Sequence, residues 1–590
     1  MALIGSCICR KQNLTGRLSS PFVQSPGCPE LSTKIFISAV WYRRTIRIAK
    51  AQLENRVLLH FGAVDYHAIV YVNGEKAGEH RGGYVSFSFD ITALLREGEN
   101  LLVVYAEDDN RHGLQPKGKQ SSLFHSHGCD YTRTTGIWQT VWLEFVPKTY
   151  LKSVKTQSDY RNRTVTFTAA MAGQEADATL RACISFEGCV QKEVEVALNA
   201  GKTTFTVELD AVKLWDVGQP NLYDVTYTLY VKGTAVDIGG RLFWSAHGEL
   251  RDHAIYLNGR PVFQRLILDQ GFYPDGIYTA PTDEALRRDI ELSMELGFNG
   301  ARLHQKVFEE RFLYWADHMG YLVWGEACQL GTGISMKMEN LANFGAEWME
   351  IVERDFNHPA IVGWQIDNEL NCEVSEFYSD ADSEAFRVFL KEKYKTLDAL
   401  NEAWGTVFWN QTYTQWEQIY VPRPTLSRAV NPHMHLDYYR FISHSTLSFC
   451  SMQAEIIRKY KKPEDFVMTN GMFDHVDNHR MMEECLDVYM YDSYPSFAYG
   501  LDREPLKSQD LNDRKWSKHL TEVRSVCPHF GIMEQQAGAN GWTTRMEGPA
   551  PHPGQLTLWA MQSVAHGADF IHFFGGVPAR LEPKCTGMES

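Results

Sequence analysis

The sequence predicts a multidomain β plus α/β protein: an N-terminal jelly-roll-like β-sandwich, an immunoglobulin-like β-sandwich, and a (β/α)8 barrel that is incomplete at its C-terminal end. Three observations carry this reading. Residues 40–148 alternate apolar and polar side chains in runs parted by turn signals. Residues 149–245 repeat the alternation in shorter runs. From residue 246 onward, short apolar runs alternate with helical stretches, as in a chain of strand–helix units.

The first unit, 1–148, contains "RVLLHFGAVDYHAIVYVNGEKAGEH", "YVSFSFDITALL", "NLLVVYAED" and "GIWQTVWLEFV". Its "VNGE" is a hairpin turn signal, because Asn-Gly supplies the two positive φ angles such a turn requires. The second, 149–245, contains "TVTFTAAM", "ATLRACISF", "TTFTVEL" and "YDVTYTLYV", which suits a small sandwich. In the third, 246–590, candidate strands lie at 262–268, 299–304, 322–327, 361–369, 466–470, 488–495, 530–536 and 570–574. Eight of them point to a barrel. The helix "TDEALRRDIELSMELG" starts on Thr282 as N-cap, with Glu284 or Glu291 on its polar face. An insertion, 371–460, follows the fourth strand.

The 590 residues suit three or four domains, and 44% hydrophobic with 12% aromatic content can build their cores. A net charge of −15 argues against nucleic acid or an anionic membrane as partner. Fifteen Trp and 27 Tyr supply core packing or flat platforms for sugar faces. Twelve Cys are scattered without metal-ligand spacing and read as reduced thiols in a cytoplasmic protein. No apolar run reaches membrane-spanning length, and "MALIGSCICRKQN" lacks the regions of a signal peptide. Neither a metal nor an organic cofactor is expected.

The chemistry concentrates at strand ends. In "RDFNHPAIVGWQIDNELN", residues 354–371, an apolar run leads directly into Asp367, Asn368 and Glu369. Other candidate strands end in Arg302 and His304, Glu326, Asp492 and Tyr494, and Glu534. In a barrel these ends line one mouth. Two carboxylates across a cleft are what glycosidic bond cleavage requires, so Glu369 is read as the acid/base and Glu534 as the nucleophile. Tyr494 is expected to hydrogen-bond Glu534, and Asn368 to offer its amide to a substrate hydroxyl. The plainer readings are solvated strand ends for each Glu and an ion pair with Glu326 for Arg302.

Two sets of stretches then carry resemblances. "GWQIDNELN", "LDALNEAWGTVFWNQTYTQW", "YDSYP", "IMEQQAGANGW" and "LWAMQSVAHGADFIHFF", within 364–574, resemble glycoside hydrolase family 42, the β-galactosidases. "AVWYRR", "CDYTRTTGIWQTVWLE", "LDQGFYPDGIYTAPTDEA", "GFNGARLHQKV" and "RDFNHPAIVGW", within 40–363, resemble glycoside hydrolase family 2. The resemblance implies a retaining two-glutamate enzyme that releases terminal β-galactose, with β-glucuronidase or an inactive carbohydrate-binding chimera as alternatives. It implies Glu369 as acid/base, Glu534 as nucleophile and Asn368 as ligand of the sugar 2-hydroxyl. It places Arg302, Tyr494, Trp409 and Trp542 around the sugar. His304 and Trp324 resemble family 2 residues whose partners lay in the replaced half. A crossover inside strand four keeps the barrel register, while oligomeric state stays open.

Segments 1–36 and 575–590 depart from both families and are compatible with shifted reading frames, a hypothesis that codons unable to encode both frames would refute. The altered tail is expected to remove the last helix of the barrel and to lower activity and solubility.

Overall fold

The computed structural model describes the short strand Arg17–Leu18 and residues 36–575, apart from 112–114, 127, 174–176, 199–200, 244–246, 253, 275, 330–337, 370–377, 423–430, 473, 496–511 and 539–549.

In the first sandwich one sheet orders Ala39–Ile48, Gly98–Glu107, His67–Val72 and Glu75–Arg81; the other orders Arg17–Leu18, Val141–Val146, Arg56–Phe61 and Phe87–Asp90. Alternate residues Val57, Leu59, Phe61, Ala68, Val70, Val72, Leu102, Val104 and Ala106 face inward and form one core. The two-residue strand period produces that pattern. Asn73 and Gly74 have φ of 53° and 89°, so the predicted hairpin turn forms, pairing Val72 with Glu75.

The second sandwich packs a three-stranded sheet (Tyr150–Asp159, Thr164–Ala172, Lys202–Glu208) on a four-stranded one (Cys189–Ala197, Ala178–Phe186, Tyr223–Val231, Thr234–Phe243). Leu180, Ala182, Ile184, Val225, Tyr227 and Leu229 are among the residues filling the space between them. Trp215, from this unit, donates its indole N–H to the Asp317 carbonyl of the barrel at 2.7 Å.

The barrel strands are β1 Gln264–Asp269, β2 Gly300–Leu303, β3 Leu322–Glu326, β4 Ile361–Gln365, β5 Phe466–Thr469, β6 Val488–Ser493, β7 Phe530–Gln535 and β8 Phe570–Phe574. They close in sequence order, all parallel, with Gln264 to Leu268 of β1 paired to Phe570 to Phe574 of β8. All eight predicted strands therefore exist. Strands β2, β3, β5 and β7 are buried along their whole length, which is why they read as continuous apolar runs and not as alternating ones.

Helices α1 Asp283–Glu295, α2 Glu310–Met319 and α3 Met338–Asp355 wrap the first half. Thr282 caps α1 as expected, its side chain accepting from the Ala285 N–H, while Leu286 and Ile290 face inward. Helix α2 stops at Gly320, which takes the left-handed conformation (φ 69°) that glycine adopts without strain. The insertion after β4 holds α4 Asp380–Tyr394, α5 Leu397–Trp404 and the start of α6 Pro432–Tyr460. These share a separate core of Phe386, Leu390, Leu400, Trp404, Tyr438 and Phe441. Helices α7 Asn478–Cys485, α8 Asn512–Val526 and α9 Gln555–Ala565 complete the described wall.

Two expectations need correction or limits. Strand β4 ends at Gln365 and not at residue 369, because the backbone leaves the ladder: Asp367 and Glu369 have φ of 21° and 43°. As for an incomplete barrel, the eight strands close. The tail beyond Gly575 lies outside the described residues, as does 1–35 apart from Arg17–Leu18.

Candidate active site

Arg302, near the C-terminal end of β2, is fully buried and organises the barrel mouth. Its Nε donates to Glu326 Oε2 at 2.9 Å, Nη1 to Glu534 Oε1 at 2.8 Å and Nη2 to Asn368 Oδ1 at 2.6 Å. Only a planar guanidinium presents donors in three such directions at once. Tyr494, just beyond β6, donates its hydroxyl to Glu534 Oε2 at 2.6 Å. Both oxygens of Glu534 are thus held by donors.

Asn470, beyond β5, ties the other side together. Its Nδ2 donates to Asp492 Oδ2 at 2.8 Å and to Asn368 Oδ1 at 3.1 Å. Its Oδ1 accepts the Glu369 backbone N–H at 3.1 Å and the Gln365 Nε2–H at 2.8 Å. Because Asn368 Oδ1 already accepts from Arg302 and Asn470, the Asn368 NH2 is the half left to meet a ligand. The register of β6 against β7 shifts between Tyr491 and Asp492, and such a bulge re-aims the side chain that follows it. One carboxylate oxygen from each of Glu369, Asp492 and Glu534 lies within 4.8 Å of the others.

The environments split these acids. Burial and then the Glu534 charge push Glu369 up to about 7, against a smaller pull from Lys119. Burial also raises Glu534, but Arg302, His304, Tyr494 and Lys119 together outweigh it and leave its pKa below the ordinary value. Asp492 is driven well up by burial and by the charges of Glu534 and Glu369. The site therefore sets Glu534, held ionised, beside Glu369, which titrates near neutral pH, the division of labour that acid–base chemistry at a single bond needs.

Arg302, Asn368, Glu369, Tyr494 and Glu534 come together as the sequence suggested. For Arg302 both readings hold, since it pairs with Glu326 and with Glu534. Trp409 does not join them: it sits in the 404–416 connection of the insertion, 80% exposed, with a positive φ of 57° and its ring 5.7 Å from Phe408. The aromatic-rich stretch "VFWN" folds there into an exposed turn. Trp542 falls in 539–549, outside the described residues. Trp324 is a fully buried barrel-core residue, donating to Gln264 Oε1 at 2.6 Å. His304 stands 3.4 Å from Glu326 Oε2. Asn470 was missed although it obeys the same strand-end rule, closing "FVMTN". Lys119, whose charge acts on both Glu369 and Glu534, comes from the first sandwich and has no local sequence signal.

Comparison with known proteins matches four family profiles. Residues 28–147 match the sugar binding domain of glycosyl hydrolases family 2, 149–239 a further family 2 domain and 249–399 the family 2 TIM barrel domain. Residues 334–581 match glycosyl hydrolase family 42, described as β-galactosidase. The two barrel profiles overlap over 334–399, which contains β4. The β-galactosidase LacZ of Heyndrickxia coagulans is 38% identical over 228 residues, covering 38% of this chain and 32% of that protein. A Formosa agariphila protein whose name places it among the β-glucuronidases is 30% identical over 370 residues, covering 60% of this chain and 42% of its own length. A Bacteroides uniformis β-glucuronidase structure superposes with a TM-score of 0.66 at 19% identity, covering 94% of this chain and 60% of that one. The chain spans well under half the length of these two sequence relatives.

Proposed function

From a chain that joins glycosyl hydrolase family 2 domains to a family 42 barrel segment, we propose a retaining glycoside hydrolase that releases terminal β-galactose. The observation that carries this reading is the Glu369–Glu534 pair, with carboxylate oxygens within 4.8 Å and pKa values driven in opposite directions. Retaining enzymes hold their carboxyl groups about 5–5.5 Å apart, whereas inverting ones leave roughly 6.5–9.5 Å for a water.

Glu534, kept ionised by Arg302, attacks the anomeric carbon while the protonated Glu369 gives its proton to the departing glycosidic oxygen. The bond to the aglycone breaks and a glycosyl ester forms on Glu534. Glu369, now a carboxylate, takes a proton from water as the water oxygen attacks the same carbon. That releases the sugar with its configuration retained and restores both acids. Arg302 and Tyr494 hold Glu534 on an axis toward the substrate. The Asn368 NH2 meets the sugar 2-hydroxyl.

Galactose is favoured by the β-galactosidase names in the second half of the chain. The Formosa relative, matched over 60% of the chain, favours a glucuronide as the second reading. Purified protein assayed on nitrophenyl β-galactoside and β-glucuronide decides between them, and 2-deoxy-2-fluorogalactosyl fluoride reports the nucleophile by mass. Turnover of the galactoside with label on Glu534 is expected. Galactoside binding without any turnover or label would replace this reading with that of a carbohydrate-binding chimera.

A further inference from the structure

We propose that Lys119, delivered by the first sandwich, is a sugar-binding residue of the barrel site, its ammonium donating to a hydroxyl of a neutral glycoside held against Glu369 and Glu534. This rests on the glycosidase reading above and extends it to a residue from another domain.

The segment around Lys119 is strapped across the barrel mouth. The N–H groups of Lys117 and Gly118 both donate to the Gln329 carbonyl, at 3.0 and 3.2 Å. Gln329 in turn donates its Nε2–H to the Asn368 carbonyl at 3.1 Å and accepts from Gln305 Nε2 at 2.7 Å. One hydrogen-bonded residue therefore separates the strap from the backbone that carries Asn368 and Glu369. The approach is close enough to demand glycine. Gly118 has a φ of 55°, and a Cβ there would stand 2.3 Å from the Gln305 carbonyl oxygen.

The strap is also anchored behind. Gln120 turns into the sandwich, donating to Asp65 Oδ2 at 2.7 Å and accepting the Thr134 N–H at 2.8 Å. The Lys119 carbonyl accepts the Tyr131 N–H, and the Ser121 N–H donates to the Tyr131 carbonyl, each at 2.7 Å. Lys119 sits in the turn closed by the Gln120 N–H on the Lys117 carbonyl at 3.3 Å, a turn held on one side by the sandwich and on the other by Gln329 of the barrel.

Lys119 is 8% exposed. Its positive charge acts on Glu369, Glu534, His304 and Glu326, the groups at the mouth that the strap approaches. Its ammonium takes part in none of the hydrogen bonds formed among the described residues. A ligand oxygen can therefore accept from its tip without displacing an existing bond. Cys129 and then Asp130, Glu534 and Glu369 favour its charged form, and a uronate carboxylate would stand beside the ionised Glu534, so the acceptor is a neutral hydroxyl.

The test compares Lys119→Met, Lys119→Arg and Gly118→Ala with the parent on nitrophenyl β-galactoside and β-glucuronide, with fluorogalactosyl labelling of Glu534 measured alongside. Loss of a charged hydrogen bond predicts a fall in kcat/KM and in labelling rate of roughly 10–100-fold for Lys119→Met. Lys119→Arg recovers part of it, and Gly118→Ala falls in the same direction although it keeps the lysine. Removing the positive charge also moves the basic limb of the pH–rate profile upward, which a merely structural role would not do. Parent-like kinetics and an unmoved limb in Lys119→Met overturn the proposal while leaving the glycosidase reading intact. A loss confined to the glucuronide overturns the neutral-hydroxyl assignment. A parent that neither turns over nor labels Glu534 defeats the glycosidase reading, and this proposal with it. If Lys119→Met fails to fold, Lys119→Gln and Gly118→Ala decide on the same readouts.

Discussion

Arg302 Nη1 lies 2.8 Å from Glu534 Oε1 with both side chains buried, so a residue of β2 holds the Glu534 carboxylate of β7 in its charged form. The same guanidinium also satisfies Glu326 and Asn368. Replacing it strands two buried carboxylates at once. Arg302→Met is expected to cost about 3–5 kcal/mol in denaturant unfolding. It also raises the Glu534 pKa, so the acid limb of the pH–rate profile moves to higher pH. An unfolding midpoint equal to the parent's contradicts this account of the pair.

In the proposed mechanism Glu369 acts protonated, and burial with the Glu534 charge pushes its pKa up to about 7. Turnover is therefore expected to fall as pH rises through about 7, when the proton leaves. Glu369→Ala should erase that limb. With a poor leaving group the loss is about 10²–10⁴-fold, the usual worth of a positioned acid, and it shrinks for a dinitrophenyl aglycone that departs unaided. Equal losses on both substrates would assign Glu369 to binding instead.

Glu534→Gln keeps the size and one hydrogen-bonding oxygen of the side chain but removes the proposed nucleophile. Turnover is expected to drop at least about 10³-fold while galactose binding by calorimetry persists. Turnover within a few-fold of the parent would place the nucleophile elsewhere.

The contact between the first sandwich and the barrel carries its own pH signature. Tyr66 of the sandwich donates to Glu347 Oε1 of α3 at 2.5 Å, and burial pushes Glu347 up to about 8. The folded state thus holds a proton that the unfolded chain releases near 4.5. This group's stability contribution is full below that value and is lost as pH rises toward about 8. Glu347→Gln, which keeps an acceptor for Tyr66 and cannot ionise, should raise the thermal midpoint at pH 9 and leave it nearly unchanged at pH 5. A midpoint gain of equal size at both pH values would refute the linkage.

The sequence revealed the barrel strands because burial on both faces turns them into unbroken apolar runs, and revealed Glu369 and Glu534 because a carboxylate closing such a run is out of place. Asn470 was equally readable in "FVMTN". The end of β4 was not, since positive φ at Asp367 and Glu369 reflects the packing of the mouth and not local propensity. Lys119 was out of reach for another reason: it is 250 residues before Glu369 in a different domain, and only the docking of the two bodies brings them together. The exposure of Trp409 was not readable either, because an aromatic in a long insertion gives no sign of which way its turn will face.

The pairing of β4 with β5, Gly363 to Gln365 against Phe466 to Met468, and of β8 with β1 means that halves of different ancestry share one shear. Strand four is in that sense a splice point. Recombination, natural or in the laboratory, can exchange the downstream half as a cassette. The fixed arginine of the upstream half then meets whichever nucleophile arrives. Libraries built by cutting at that strand would sample new sugar preferences without redesigning the scaffold that presents them.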